Sequence, residues 1–387
     1  MRAVVVGAGV FGTWTALWLR RRGATVTLVD QYGPGNSLAS SGDESRVTRA
    51  AHGPDRHYPR WQRLSLRQWH ELDPSLFVRS GVVWFAHRDG GFEGDSFDTL
   101  TSQEIPVERL GVDELARRWP HLLLDDVTWA LHEPEAGALM ARRGVATAAR
   151  AFRDAGGEVV IGRALAPEPV GDQLDGVRLA DGARLPADAV CFAAGPWLPK
   201  LLGPIPGLEL DVTQQEVVYI ATPPGDARFD AAAHPTWVDY DASYYGIPSI
   251  EGRGFKVAPD WPGPVVDPDT QERRLSDERV EAARDYLRRR FPPLVGQPVA
   301  EGRVCQYEVT PDTHFIIDRH PMWANAWVVG GGSGHGYKHG PALGEYLSAL
   351  IVGDSAAAAE LAPPDDRFRL VPRESGLGMR TAGVQPA

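Results

Sequence analysis

Residues Met1 to Asp30, MRAVVVGAGVFGTWTALWLRRRGATVTLVD, constrain the fold more than any other stretch. The apolar run Ala3 to Val6 predicts a buried parallel strand. It turns over Gly7-Ala8-Gly9 and Val10 into a helix that closes with Arg20-Arg21-Arg22 and Gly23. A second apolar strand, Thr25 to Val29, ends at Asp30. Gly7, Gly9 and Gly12 fill GxGxxG, a weak motif alone. Here it follows a strand, opens a helix and is answered by an acid about 20 residues on. The glycines serve the tight turn, backbone approach to a pyrophosphate, and close helix–strand packing. The positive helix end suits phosphates, and Asp30 suits a ribose hydroxyl. A ligand-free turn would explain the glycines but leave Asp30 a coincidence, so a dinucleotide site is expected.

The remaining length, 387 residues in all, leaves room for two to three domains. Net charge is −11, and the short basic runs Arg20–Arg22 and Arg288–Arg290 fall at expected helix C-termini, where they complement the macrodipole. Nucleic acid is therefore not an expected partner. Two cysteines argue against a disulfide framework and fit a reducing compartment. Ala3 to Leu19 is apolar, but its positive charges follow it and glycines interrupt it, unlike a signal peptide. No other stretch reaches the length of a membrane span. The expectation is a cytoplasmic protein without membrane contact, favoured as a monomer.

Further along, Gly33 to Gly42 and the following GDESRVTRAAHG show no periodicity and read as a long loop. Helices are expected from Tyr58 to Leu72, from Gly111 to Trp119 and from Leu139 to Ala155. Another is capped by Ser276 or Asp277 and stopped by Pro292. Strands are expected at Val82–Ala86, Glu158–Ile161, Ala187–Ala194, Val212–Ala221, Tyr244–Pro248 and Ala326–Val329, with two more in Arg303–Asp318. Asp181-Gly182 signals a hairpin between Gly176–Leu179 and Ala183–Leu185. The Gly/Asp cluster from Asp89 to Asp95 reads as a breaker. GGGSGHGYKHG precedes a helix through Leu350, and the polar stretch beyond Pro364 is expected to be mobile.

Several segments together resemble the monomeric sarcosine oxidase family of FAD-dependent amine oxidases, in the D-amino-acid-oxidase-like superfamily. They are GAGVFG (7–12), GDESRVTR (42–49), YGIPS (245–249), GFKV (254–257), CQYEVTPDTHFIIDRHP (305–321) and GSGHGYKHG (332–340). The resemblance covers about residues 1–370. It implies an α/β fold, a Rossmann-type FAD-binding domain with an inserted mixed-sheet substrate domain. The expected division is 1–79, 139–213 and 303–370 for FAD, 80–138 and 214–302 for substrate, and 371–387 as a tail.

Site residues follow from the same match. Gly7, Gly9, Val10, Gly12, Asp30 and Ser41, with Gly332, Gly334, His335 and Gly336, are expected to hold FAD. Glycines before a helix let backbone lie against a planar ring, with the positive helix end towards it. Cys305 matches the family's flavin-linked cysteine, implying covalent FAD, whereas Cys191 in AVCFAAG reads as a small buried hydrophobe. Arg49 and Lys338 match the pair that holds the substrate carboxylate, a chemistry arginine and lysine suit. Lys256 matches the oxygen-activating lysine, with Arg46 also expected near the flavin. Tyr245 and Tyr307 match pocket tyrosines, for which simple core packing is the alternative. Asp260 stands where sarcosine oxidases carry histidine, and the GDESR loop is slightly long, so the substrate is expected to differ from sarcosine.

The resulting expectation is an FAD-dependent oxidase of a secondary-amine amino acid (N-methyl, cyclic imino or otherwise N-substituted), using oxygen and producing imine and hydrogen peroxide. No metal is expected. The alternatives are a flavin dehydrogenase with another acceptor, a primary-amine amino-acid oxidase, an NAD-linked dehydrogenase and a non-catalytic flavoprotein. NAD alone leaves Cys305 and the second glycine loop without a role. A scaffold needs no cationic clamp.

Overall fold

The computed structural model describes residues 1–168 and 171–375. Its first strand, Arg2–Val6, lies at the centre of a six-stranded sheet. Thr25–Asp30 and Glu158–Ile161 extend the sheet to one side, and Ala189–Phe192, Ala326–Gly330 and Ile316–Arg319 to the other. All pairings are parallel except the Ile316–Arg319 edge. Strand order thus reverses at Arg2–Val6, and ligands of open parallel sheets bind at such switch points, beyond the carboxyl ends of the strands. Gly7 sits there: its N–H donates to Val29 O at 2.7 Å, and Ala193 N–H donates to Val6 O at 2.7 Å. The expected hairpin pairs Gly176–Arg178 with Arg184–Pro186.

A second sheet has eight strands. Val299–Val309, Asp211–Ile220, Phe255–Pro259, Tyr244–Ile247 and Thr236–Asp239 are followed by Val82–Ala86, Trp129–Glu133 and Glu108–Gly111. The helix Asp277–Arg290 packs on it, stacking Tyr286 on Trp237 at 5.1 Å between ring centroids. Ser276 Oγ caps that helix by accepting from Arg279 N–H, with Asp277 and Glu278 in the first turn and three arginines in the last. Each sheet has its own apolar core, one around Trp14 and Trp69, the other around Trp237 and Phe255. This is the expected Rossmann-type layer with a mixed-sheet layer inserted. Among the described residues no helix is long and apolar enough to cross a membrane.

Three local expectations are corrected. Ser45–Thr48 is a strand rather than loop, paired with Gly137–Met140. Three of its four residues, Ser45, Arg46 and Thr48, are polar, so no hydrophobic period marks it. The expected helix 139–155 is Ala141–Asp154, because Leu139 and Met140 complete that strand pair. The Gly/Asp cluster does follow the end of the strand Val82–Ala86, and within it begins a helix without a sequence signal, Gly91–Ser102, where burial of Ser96 and Leu100 overrides weak propensity. The stretch after Pro364 is anchored as far as Arg373: Phe368 is buried, Arg367 pairs with Asp55, and Arg373 pairs with Asp312 at 2.7 Å. The rest of the expected tail, 376–387, lies outside the described residues.

Candidate functional site

A cavity of ≈ 400 Å³ opens at the switch point, with walls from both sheets. On the first wall, Gly7 has φ +106°, and a Cβ there would lie 2.3 Å from Ala193 O. A Cβ at Gly12 would lie 1.8 Å from Gly7 O, so Gly12 packs behind the cavity instead of lining it. Gly9 is different: its Cβ would meet only Ser41 Oγ, at 3.7 Å. The helix Val10–Arg21 has no side-chain cap at Gly9, and unpaired N–H groups at a helix start suit an anion. The open approach at Gly9 and this uncapped helix start fit a dinucleotide pyrophosphate. Asp30 also faces the cavity, yet its carboxylate first holds the turn, accepting from Ala8, Tyr32 and Gly33 N–H at 2.7–2.8 Å. Burial pushes its carboxyl up against those bonds.

The second glycine loop meets the first. A Cβ at Gly336 would lie 2.7 Å from the Phe11 ring. Gly332 N–H donates to Glu308 Oε1 at 3.4 Å, and Ser40 Oγ donates to Glu308 Oε2 at 2.9 Å. Gly332, Gly334, His335, Gly336 and Lys338 all line the cavity, as do Val10 and Ser41. These flat, side-chain-poor surfaces suit a planar ring.

The opposite wall carries buried charge. Lys256 Nζ donates to Asp43 Oδ2 at 2.5 Å and to Ser45 O at 3.1 Å, and Arg46 Nη1 donates to the same carboxylate oxygen at 2.5 Å. Tyr219 donates its hydroxyl to the other oxygen at 3.1 Å. Burial pushes the Asp43 carboxyl up, but Lys256 and Arg46 outweigh burial and hold it well below the usual carboxylate range. Burial in turn lowers the Lys256 ammonium, and Asp43 opposes that fall. Lys256 lies behind the cavity wall, between the Tyr219 and Tyr245 rings, rather than projecting into the space. Cys305 also lies behind it, with Sγ 3.9 Å from Arg46 Nη2. Burial raises the Cys305 thiol, and Arg46 opposes the rise. Cys191 is buried in its strand, its thiol pushed up to about 12.

Arg49 and Lys338 come together on the cavity wall. Both are buried; Arg49 lies over the Trp84 ring at 5.1 Å, and Lys338 Nζ donates to His335 O at 2.8 Å. Burial, and then Arg49, lower the Lys338 ammonium well below the lysine range. A bound anion would answer the Arg49 charge and favour the protonated form of Lys338. Glu133 fixes the Arg49 segment, accepting from Ala50 and Ala51 N–H at 2.6 and 3.2 Å and from Trp84 Nε1 at 2.9 Å. Tyr245 and Tyr307 line the cavity, and Tyr307 donates its hydroxyl to Asp260 at 3.2 Å.

Three participants escape sequence reasoning: Asp43, Glu133 and Glu308. Glu133 had a signal, as an acid ending the apolar strand Trp129–Glu133 whose residues are all buried. Asp43 and Glu308 lie within recognised motifs, but their partners are more than 200 residues away in sequence for Asp43–Lys256 and Glu308–Ser40.

The family model for FAD-dependent oxidoreductases (DAO) matches residues 2–350. The monomeric sarcosine oxidase of Streptomyces avermitilis is 31% identical over 92% of this chain and 94% of its own. An N-methyl-L-tryptophan oxidase of Salmonella dublin is 25% identical over 92% of this chain and 95% of its own. Among solved structures, a modified fructosyl peptide oxidase from Aspergillus nidulans superposes with a TM-score of 0.84, at 20% identity, covering 100% of this chain and 96% of that one. The last similarity is one of fold.

Proposed function

The chain belongs to the family of FAD-dependent oxidoreductases, alongside the monomeric sarcosine oxidases, and on that premise we propose that it oxidises the C–N bond of a secondary-amine amino acid. It is an FAD-dependent oxidoreductase acting on the CH–NH group of secondary amines. The proposed substrates are N-methyl, cyclic imino or other N-substituted amino acids, with oxygen as acceptor and imine and hydrogen peroxide as products. FAD, when bound, supplies the two-electron acceptor.

One observation carries this reading: Arg49 and Lys338 stand together, buried, on the wall of the cavity that the second glycine loop also lines. They would hold the carboxylate, Arg49 as a planar fork and Lys338 as a point charge. Tyr245 and Tyr307 would enclose the amine, leaving the C–H positioned for transfer, a proximity effect. Gly7, Gly9, Val10, Ser41 and Asp30 would hold the dinucleotide, with Gly12 shaping the turn. Cys305 is proposed as a covalent attachment point and Lys256, paired with Asp43, as the cation that favours oxygen reduction. Arg46 links the two by touching both Asp43 and Cys305. The separate sheets and cores support two domains, with 1–79 and 139–213 set against 80–138 and 214–302; the strand Val299–Val309 belongs whole to the second sheet, which moves the last proposed boundary from 303 to about 310. A cytoplasmic monomer is proposed on the composition.

A peroxide-coupled screen of N-methyl and cyclic amino acids, with primary-amine counterparts, tests the reading. Turnover of a secondary amine with peroxide release is expected. Reduction without peroxide would favour a dehydrogenase, and preference for primary amines would overturn the substrate class. Cys305→Ser should release flavin from acid-denatured protein; a pellet that stays yellow refutes the linkage. Lys256→Met should slow reoxidation more than reduction in stopped flow.

A further inference from the structure

Beside the carboxylate clamp lies a cluster of three histidines, of which only His335 lines the cavity. His52 follows the strand Ser45–Thr48, while His335 and His339 flank the start of the turn Tyr337–His339 that leads into the helix Gly340–Val352. One nitrogen from each ring lies within 4.8 Å of the other two, and the ring centroids are 5.4 to 6.1 Å apart. All three are at least 95% buried.

Hydrogen bonding sets two of the tautomers. His52 Nδ1–H donates to Ala50 O at 2.8 Å, leaving Nε2 a bare lone pair. His335 Nε2–H donates to Thr313 O at 3.0 Å, leaving Nδ1 bare. Neither nitrogen of His339 has a hydrogen-bond partner among the described residues. An imidazole tied to a backbone carbonyl through one nitrogen presents the other as an oriented ligand. Tyr58 packs its ring against all three histidines, at 5.1 to 5.3 Å between centroids, and Phe315 stacks on His335. This largely aromatic shell offers those lone pairs no hydrogen-bond donor among the described residues.

We propose that His52, His335 and His339 bind one divalent transition-metal ion of the zinc, cobalt and nickel class, tying the segment that carries Arg49 to the loop that carries Lys338. Neutral imidazoles suit these ions, whereas calcium and magnesium require oxygen donors. Zinc–nitrogen bonds of ~2.1 Å place tetrahedral ligands about 3.4 Å apart, so binding draws the rings inward. A solvent molecule completes the coordination. Arg49 and Lys338 both act on all three rings, and their positive charge opposes a bound cation. Metal binding here requires no redox turnover, so the two readings are tested separately although His335 also lines the cavity.

The test uses the full-length holoenzyme, stripped with a chelator and dialysed. Zn²⁺ is titrated in parallel with Mg²⁺, with bound metal read by elemental analysis and stability by melting temperature. One Zn²⁺ per chain and an upward shift in melting temperature are expected, with no response to Mg²⁺. Both effects should vanish in His339→Leu, and in His52→Gln should the first variant fail to fold. A wild-type protein that retains no stoichiometric Zn²⁺ and does not shift would overturn the proposal. So would Zn²⁺ binding that either variant leaves unchanged.

Discussion

The two walls of the cavity are built from different materials. The dinucleotide wall is backbone: Gly7, Gly9 and Gly12 make room by lacking side chains, and one acid, Asp30, holds their turn. The other wall is charge from segments far apart in sequence: Arg46, Arg49 and Lys338 line the cavity, and Asp43 and Lys256 are buried behind it. The first wall is therefore sensitive to volume and the second to charge. Substitutions that exchange these sensitivities break the comparison.

Gly12→Val should have the largest effect, because its Cβ would overlap Gly7 O; no yellow, soluble protein is expected on purification. Gly9→Ala, with open space before it, should fold but hold FAD less tightly. Wild-type yield and colour from Gly12→Val would show the turn to be deformable.

Next in size is Asp43→Ala, which strands Lys256 and Arg46. Breaking a buried pair costs ~3–5 kcal/mol, read as a lower denaturant midpoint. Adding Lys256→Met should restore part of the loss; strict additivity of the two changes would deny their coupling.

Lys338→Gln should lower kcat/KM for carboxylate-bearing substrates roughly 10- to 150-fold, the worth of a hydrogen bond to a charged group. Retained flavin content would locate the loss on the charged wall. An unchanged kcat/KM would remove Lys338 from the clamp.

The smallest effect concerns pH. Burial puts the native Lys338 ammonium below its unfolded value. Between the two values the unfolded chain binds the extra proton, so stability rises with pH there. A bound carboxylate reverses the shift, so binding a carboxylate inhibitor should take up a proton, and affinity should fall as pH rises through the free-site value. Calorimetry in buffers of different ionisation enthalpy reads the uptake, which Lys338→Gln should abolish.

This division also explains what could be read from sequence. The dinucleotide wall is local: strand, glycine turn, helix and Asp30 sit within one short unit, and the spacing alone describes them. The charged wall was legible at Arg49, Lys256, Lys338, Tyr245 and Tyr307 through family resemblance, and all but Lys256 line the cavity. The pairing of Lys256 with Asp43 was not legible, because only folding brings residues 213 positions apart together. Phe368 illustrates the same limit: a single aromatic in a polar tail carries no period, yet it packs into the core.

Anaerobic mixing of the holoenzyme with secondary-amine amino acids and with their decarboxylated counterparts tests the account most directly, by the loss of visible flavin absorbance. The account predicts rapid bleaching by at least one carboxylate-bearing amine and far slower bleaching by its decarboxylated counterpart. Equal rates with both, or a bound flavin that none of them reduces, would contradict it.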